Sequence, residues 1–106
     1  MAAPTTTPLL VVPPEVHAFA KEAGVTAYLA PLLELLVQTF LTAKRFAVVV
    51  EDDPEIANDR HIVFEVDAPL DVEQAIEAKD RWHEGLFARC PAPLVCVFRL
   101  YLDLVP

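Results

Sequence analysis

HIVFEVDAPLDVEQAIEAKDRWHEGLFARCPAPLVCVFRLYL, residues 61–102, is the stretch that decides the fold. Ile62, Phe64 and Val66 alternate with His61, Val63, Glu65 and Asp67, the two-residue period of a half-buried strand. A helical period follows from Asp71 to about Arg89. From Leu94 a second alternation sets Leu94, Cys96, Phe98, Leu100, Leu102 and Leu104 against Val95, Val97, Arg99, Tyr101 and Asp103. A helix of that length between two strands is the mark of a crossover unit.

The helix carries its own start signal. Asp71 can accept from the backbone N–H of Gln74 while Gln74 reaches back, a capping box. Val72, Ala75, Ile76, Lys79, Trp82, His83, Leu86 and Phe87 are expected to face inward, the Lys79 stem lying along the margin. Glu73, Glu77, Asp80, Arg81 and Glu84 face water. The run Cys90-Pro91-Ala92-Pro93 then forces the chain out of the helix.

Upstream, the residues predict two helices and a strand. Pro14 suits a first helical turn, and a helix over 14–23 would turn Val16, Phe19 and Ala20 inward before a left-handed Gly24. A second helix over 31–43 shows a broad apolar face of Leu32, Leu33, Leu36, Val37 and Phe40. Residues 45–51 then form a strand that is apolar on both sides, which places it at the centre of a sheet. The loop 52–60 contains Pro54 and Asn58-Asp59, turn chemistry that favours antiparallel neighbours. The expected class is α+β in the order α-α-β-β-α-β. Its three-stranded antiparallel sheet has order 2-1-3, with the helices on one face. Residues 1–13, rich in Pro and Thr, read as a mobile tail on a single domain spanning 14–106.

Composition narrows the function. The chain has 106 residues, 55% of them hydrophobic against a typical ~45–50%, so it has apolar surface to spare. The net charge is −8, and twelve acids lie between Glu51 and Glu84 against Arg60, Lys79 and Arg81. Phosphate binding needs the opposite field, so a nucleic-acid partner is not expected. There is no serine, which removes serine nucleophiles, and the two glycines, Gly24 and Gly85, are too few for a phosphate-cradling loop. A membrane span over 25–43 is disfavoured by Glu34 at its centre. With no secretory signal pattern and two cysteines, the chain reads as cytoplasmic with reduced thiols.

Three groups of residues invite a functional reading. The acidic loop of Glu51, Asp52, Asp53, Glu55 and Asp59 reads first as a solvated hairpin tip, then as a contact for a basic partner. It lacks the glycine and spacing of a calcium loop, so neither a metal nor a cofactor is expected. On the sheet face away from the core, alternation gathers Arg45, Glu51, His61, Glu65, Asp67, Arg99, Tyr101 and Asp103. There His61, Glu65 and Asp67 are the candidates for acid–base or metal-assisted hydrolysis, against a plainer reading as cross-strand ion pairs. Cys90, Cys96 and His83 complete the set. Cys96 is expected in the core, and both thiols are expected to be buried and inert.

The segments EDDPEIANDRHIVFEVD (51–67) and CPAPLVCVFRL (90–100) resemble a group of small bacterial proteins, a likeness that covers roughly 15–104. No activity attaches to that group, so the resemblance carries no functional residue across. The element order is also similar to the type II KH arrangement, but the glycine loop that clamps RNA is absent.

The expectation that follows is a non-enzymatic interaction module, a homodimer or the partner of a basic protein, such as the acidic half of a neutralising pair. The contacting residues would be Val95, Val97, Arg99, Tyr101, Asp52, Asp53 and Glu55. Its warrant is the last strand, long and apolar at a sheet edge, which needs something to pair with. The alternative is a small metal-dependent hydrolase using His61, Glu65 and Asp67.

Overall fold

The computed structural model describes residues 11–57 and 59–106. Helix α1 (Pro14–Glu22) and helix α2 (Thr26–Thr39) precede strands β1 (Arg45–Asp52) and β2 (Arg60–Ala68). Helix α3 (Val72–Arg89), a 3-10 segment (Ala92–Val97) and strand β3 (Phe98–Leu104) complete the chain. The expected tail over 1–13 falls largely outside the described residues.

The sheet corrects the expected topology. Its order is β1-β2-β3, so β2 and not β1 is central. β1 and β2 form an antiparallel hairpin, from Arg45 opposite Asp67 to Asp52 opposite Arg60. β3 runs parallel to β2, from Ile62 opposite Phe98 to Ala68 opposite Leu104, so the sheet is mixed. The physical reason is the crossover itself, since α3 returns β3 to the strand it left instead of carrying it past β2 to β1. Burial agrees: His61, Ile62, Val63 and Phe64 of β2 are all buried, whereas Ala47 and Val49 of β1 are only half covered. The apolar second face of β1 was the misleading signal.

The three helices cover one face. Their core joins Val16 and Ala20 of α1 to Leu29, Leu32 and Leu36 of α2 and to Trp82 and Leu86 of α3. Beneath them lie Phe46 and Val48 of β1, Ile62, Phe64 and Val66 of β2, and Phe98 of β3. Phe64 is the hub: its ring meets the Trp82 ring edge-on at 5.3 Å and stacks with Phe98 at 5.9 Å. Such aromatic pairs add about 0.5–1.5 kcal/mol beyond the area they bury.

Local chemistry sets most of the boundaries. Gly24 takes φ +74° and ends α1, as its lack of a side chain permits. The capping box of α3 is present: Asp71 Oδ1 accepts from the Gln74 N–H at 2.8 Å, and Gln74 Oε1 accepts from the Asp71 N–H at 3.1 Å. Helix α2 starts at Thr26, five residues earlier than expected, and carries Pro31 within it. β3 starts at Phe98 and not at Leu94. Pro91 and Pro93 remove donors and fix φ there, and the chain coils into the 3-10 segment, closed by the Leu94 N–H donating to the Pro91 carbonyl at 2.9 Å. That coil turns Cys96 out to solvent, against the expectation that it sits in the core. Helix α3 is also rotated from the expected phase. Ala75, Ala78, Trp82 and Leu86 face the core, leaving Val72, Ile76 and Phe87 66%, 56% and 58% exposed. Lys79 and His83 are exposed with them.

Candidate functional site

The sheet face turned away from the helices is built from cross-strand partners. Tyr101 on β3 stands opposite Glu65, and Glu51 on β1 stands opposite His61. The Tyr101 hydroxyl nevertheless donates to Glu51 Oε1 at 2.8 Å, so its ring spans β2 diagonally over Val63. Val63 is 0% exposed although no helix covers it. The bond to Glu51, followed by desolvation, holds the Tyr101 phenol above its ordinary value.

Further along the same face, Arg45 closes the other end. Its guanidinium meets Glu65 at 3.0 Å and Asp67 at 3.4 Å, and those two carboxylates hold its pKa above the usual value. His61, Glu65 and Asp67 therefore share a face, as alternation requires, but the structure does not bring them together. Four residues of strand separate His61 from Glu65 by about 13 Å, and both acids are engaged with Arg45.

His61 instead leans toward the hairpin end. The loop 53–59 is closed by the Asp53 N–H donating to the Asp59 carbonyl at 2.8 Å. Asp53 Oδ1 accepts from the backbone N–H groups of Glu55 at 2.8 Å and Ile56 at 3.2 Å, an Asx turn that fixes the carboxylate. This closure gathers Asp53, Asp59 and His61 so that one donor atom from each lies within 4.8 Å of the others. His61 is 5% exposed, and its Nε2 lies 3.4 Å from Asp59 Oδ2 without hydrogen-bond geometry. That nitrogen has no hydrogen-bond partner among the described residues. Sequence reasoning singled out His61 and the acidic loop separately and did not join them. The available signal was the spacing of Asp53, Asp59 and His61 across a two-strand hairpin.

Of the expected contact residues, Asp52 is exposed and bonded to Arg60, whose Nε donates to its Oδ1 at 2.8 Å. The Arg60 guanidinium also sits 5.1 Å from the centre of the Phe19 ring, on the helix side of the sheet. Glu55 is exposed at the hairpin end. Val95 and Val97 are half-buried in the 3-10 segment, and Arg99 and Tyr101 are exposed on β3. Cys90 is buried, and desolvation, with Cys96 nearby, pushes its thiol up. A thiol shifted that way is a poor nucleophile.

The outer edge of β3 is the other distinctive surface. The Val105 N–H donates inward to the Ala68 carbonyl, so by alternation the N–H and C=O groups of Leu100, Leu102 and Leu104 point away from β2. No strand pairs with that edge among the described residues. An open groove of about 340 Å³ runs beside it, lined by His83 and Phe87 of α3 and by Val95, Arg99, Leu100 and Tyr101. Among the described residues no helix is long and apolar enough to cross a membrane.

A scan against protein-family models finds no match. Comparisons with curated proteins and with solved structures find none either.

Proposed function

We propose that this chain is a non-catalytic interaction module that dimerises by pairing β3 with β3 of a second copy. The observation that carries the reading is the self-complementary edge Phe98-Arg99-Leu100-Tyr101-Leu102-Asp103-Leu104. Antiparallel pairing about a twofold axis at Tyr101 sets Arg99 opposite Asp103 of the other copy, and Leu100 opposite Leu102. Two Arg–Asp pairs form on the exposed face, one on each side of the axis. The outward N–H and C=O groups of Leu100 and Leu102 fall at hydrogen-bonded positions in that register. Such an isologous contact is the usual geometry of a homodimer.

Helix α3 supports the same partner. Val72, Ile76, His83 and Phe87 fall within roughly 60° of one another on the helical wheel. This stripe includes His83 and Phe87, two of the four α3 residues that line the groove beside β3, so a copy docked on the β3 edge also covers exposed apolar side chains. The other free edge is a weaker candidate. On β1, Arg45 is already held by Glu65 and Asp67, and Glu51 by Tyr101. Arg99 and Asp103 form no ion pair among the described residues. The exposed free thiol of Cys96 suits a reducing compartment, which supports a cytoplasmic location.

A charge swap tests the reading. Light scattering after size exclusion is expected to give twice the protomer mass of 11.7 kDa for the unaltered chain. Arg99→Asp sets like charges across the twofold and is expected to give a monomer, while Arg99→Asp with Asp103→Arg restores the dimer. An unaltered chain that is monomeric at high concentration overturns the proposal. So does a dimer indifferent to Arg99→Asp.

A further inference from the structure

Asp53, Asp59 and His61 form a cluster that the interface at β3 does not use. We infer that these three side chains are the protein ligands of a divalent transition-metal ion, zinc in the first instance, clipping the end of the β1–β2 hairpin. Two observations carry this independently. The first is convergence, with one donor atom from each residue inside 4.8 Å. The second is the His61 ring, 5% exposed, whose Nε2 is aimed at the cluster without a hydrogen-bond partner among the described residues. A buried imidazole nitrogen left unsatisfied is costly, and native structures rarely keep one without a ligand to account for it.

The distances favour a metal over a plain ion pair. Nε2 and Asp59 Oδ2 stand 3.4 Å apart with poor alignment for a proton between them. In a tetrahedral zinc site with bonds of about 2.0–2.1 Å, two ligand atoms are separated by roughly 3.3–3.5 Å. The pair already has the spacing of two ligands on one ion, and a donor atom of Asp53 lies within 4.8 Å of both. Its carboxylate is oriented by the Glu55 and Ile56 N–H groups, the kind of outer support that metal-binding carboxylates commonly have.

The donor set also selects the ion. One imidazole nitrogen with two carboxylate oxygens suits zinc and its first-row neighbours. Calcium and magnesium prefer all-oxygen surroundings with more ligands, which a buried imidazole does not supply. Three protein ligands leave a fourth position open to water. The cluster draws on β2 and the loop that joins it to β1, with no residue from β3, so metal binding and dimerisation can succeed or fail separately.

The test is a titration of the full-length chain with zinc chloride, followed by calorimetry, with cobalt(II) as an optical reporter. One equivalent per chain is expected. Asp59→Asn, which keeps shape and removes charge at a half-buried position, is expected to weaken binding about tenfold or more. His61→Gln is expected to abolish it, and circular dichroism checks that each variant is folded. The cobalt complex should lack thiolate charge-transfer bands, since the site contains no sulfur. No binding up to about 1 mM zinc, where affinity corresponds to only about −4.1 kcal/mol, overturns the inference and leaves His61 as an ion-pair partner alone. Binding unchanged in Asp59→Asn, or thiolate bands reporting coordination by Cys96, overturns it as well.

Discussion

The bond from Tyr101 to Glu51 seals the middle strand where no helix reaches. The neutral phenol donates to the carboxylate, whereas a phenolate would face it as a like charge, so the folded-state pKa lies above the unfolded one. The stabilisation from this bond is therefore complete below the unfolded value near pH 10 and is lost as pH rises through the higher folded value. Glu51→Gln removes the charge, and the Tyr101 pKa is expected to drop toward about 10. Tyrosinate absorbance in a Tyr28→Phe background, which leaves Tyr101 as the sole tyrosine, reads this directly. An unshifted titration would mean that Glu51 does not set the phenol's pKa. The same face shows how far single residues could be read. Alternation correctly put His61, Glu65 and Asp67 on one side of β2, but a face is not a site. The ring of His61 leans along the strand toward Asp59, and Arg45 takes both acids for itself. Period-two reasoning specifies which side a residue occupies and carries no information on which way along the strand it leans.

At the scale of elements, α2 and α3 meet through an unusual close approach. A Cβ added at Gly85 would lie 2.6 Å from Leu35 Cδ2 and 2.7 Å from Cδ1. Glycine inside a helix normally costs about 1 kcal/mol relative to alanine, so Gly85→Ala on an open surface would stabilise. Here the new methyl collides with a buried leucine, and overpacking of this kind costs about 1–3 kcal/mol. Gly85→Ala alone is expected to destabilise. In a Leu35→Ala background the obstruction is gone, and the same substitution is expected to stabilise. Urea unfolding of the four variants closes the cycle, and additive effects would show that Leu35 is not what Gly85 accommodates. Helix α3 was legible because its capping box, length and heptad-like apolar positions agree. Its phase was legible only in part: Ala75, Trp82 and Leu86 face the core as expected, but the larger Val72, Ile76 and Phe87 drew the expected face toward themselves and away from Ala78, a small residue that allows close packing. The strand order failed for a related reason. Side-chain polarity along β1 and β2 suggested the wrong centre, because His61 is polar yet buried and Val49 is apolar yet half open. The onset of β3 was obscured by alternation that continues through Leu94–Val97, where two prolines coil the backbone instead.

For the whole molecule, charge and contact work against each other. Each copy carries a formal −8 and its described residues span 41 × 35 × 25 Å, so at low salt two copies repel over distances comparable with that span. The attraction assigned to the β3 edge acts at a few ångströms, through backbone hydrogen bonds, covered apolar side chains and the two Arg99–Asp103 pairs. Salt separates the two ranges. The screening length is about 30 Å at 0.01 M ionic strength and about 8 Å at 0.15 M, so modest salt removes the long-range repulsion and leaves the short-range contacts nearly intact. The exposed Arg–Asp pairs lose little, since such pairs are worth about 0–1 kcal/mol each. Dimerisation is therefore expected to tighten between about 0.01 and 0.15 M salt and then to level off. Sedimentation equilibrium across that range measures it. The thermal midpoint should rise with protein concentration, because association stabilises the folded state by mass action, and Arg99→Asp should abolish that dependence. An association that weakens steadily with salt would show that the ion pairs dominate. A midpoint independent of concentration in the unaltered chain would remove the second copy from the β3 edge altogether.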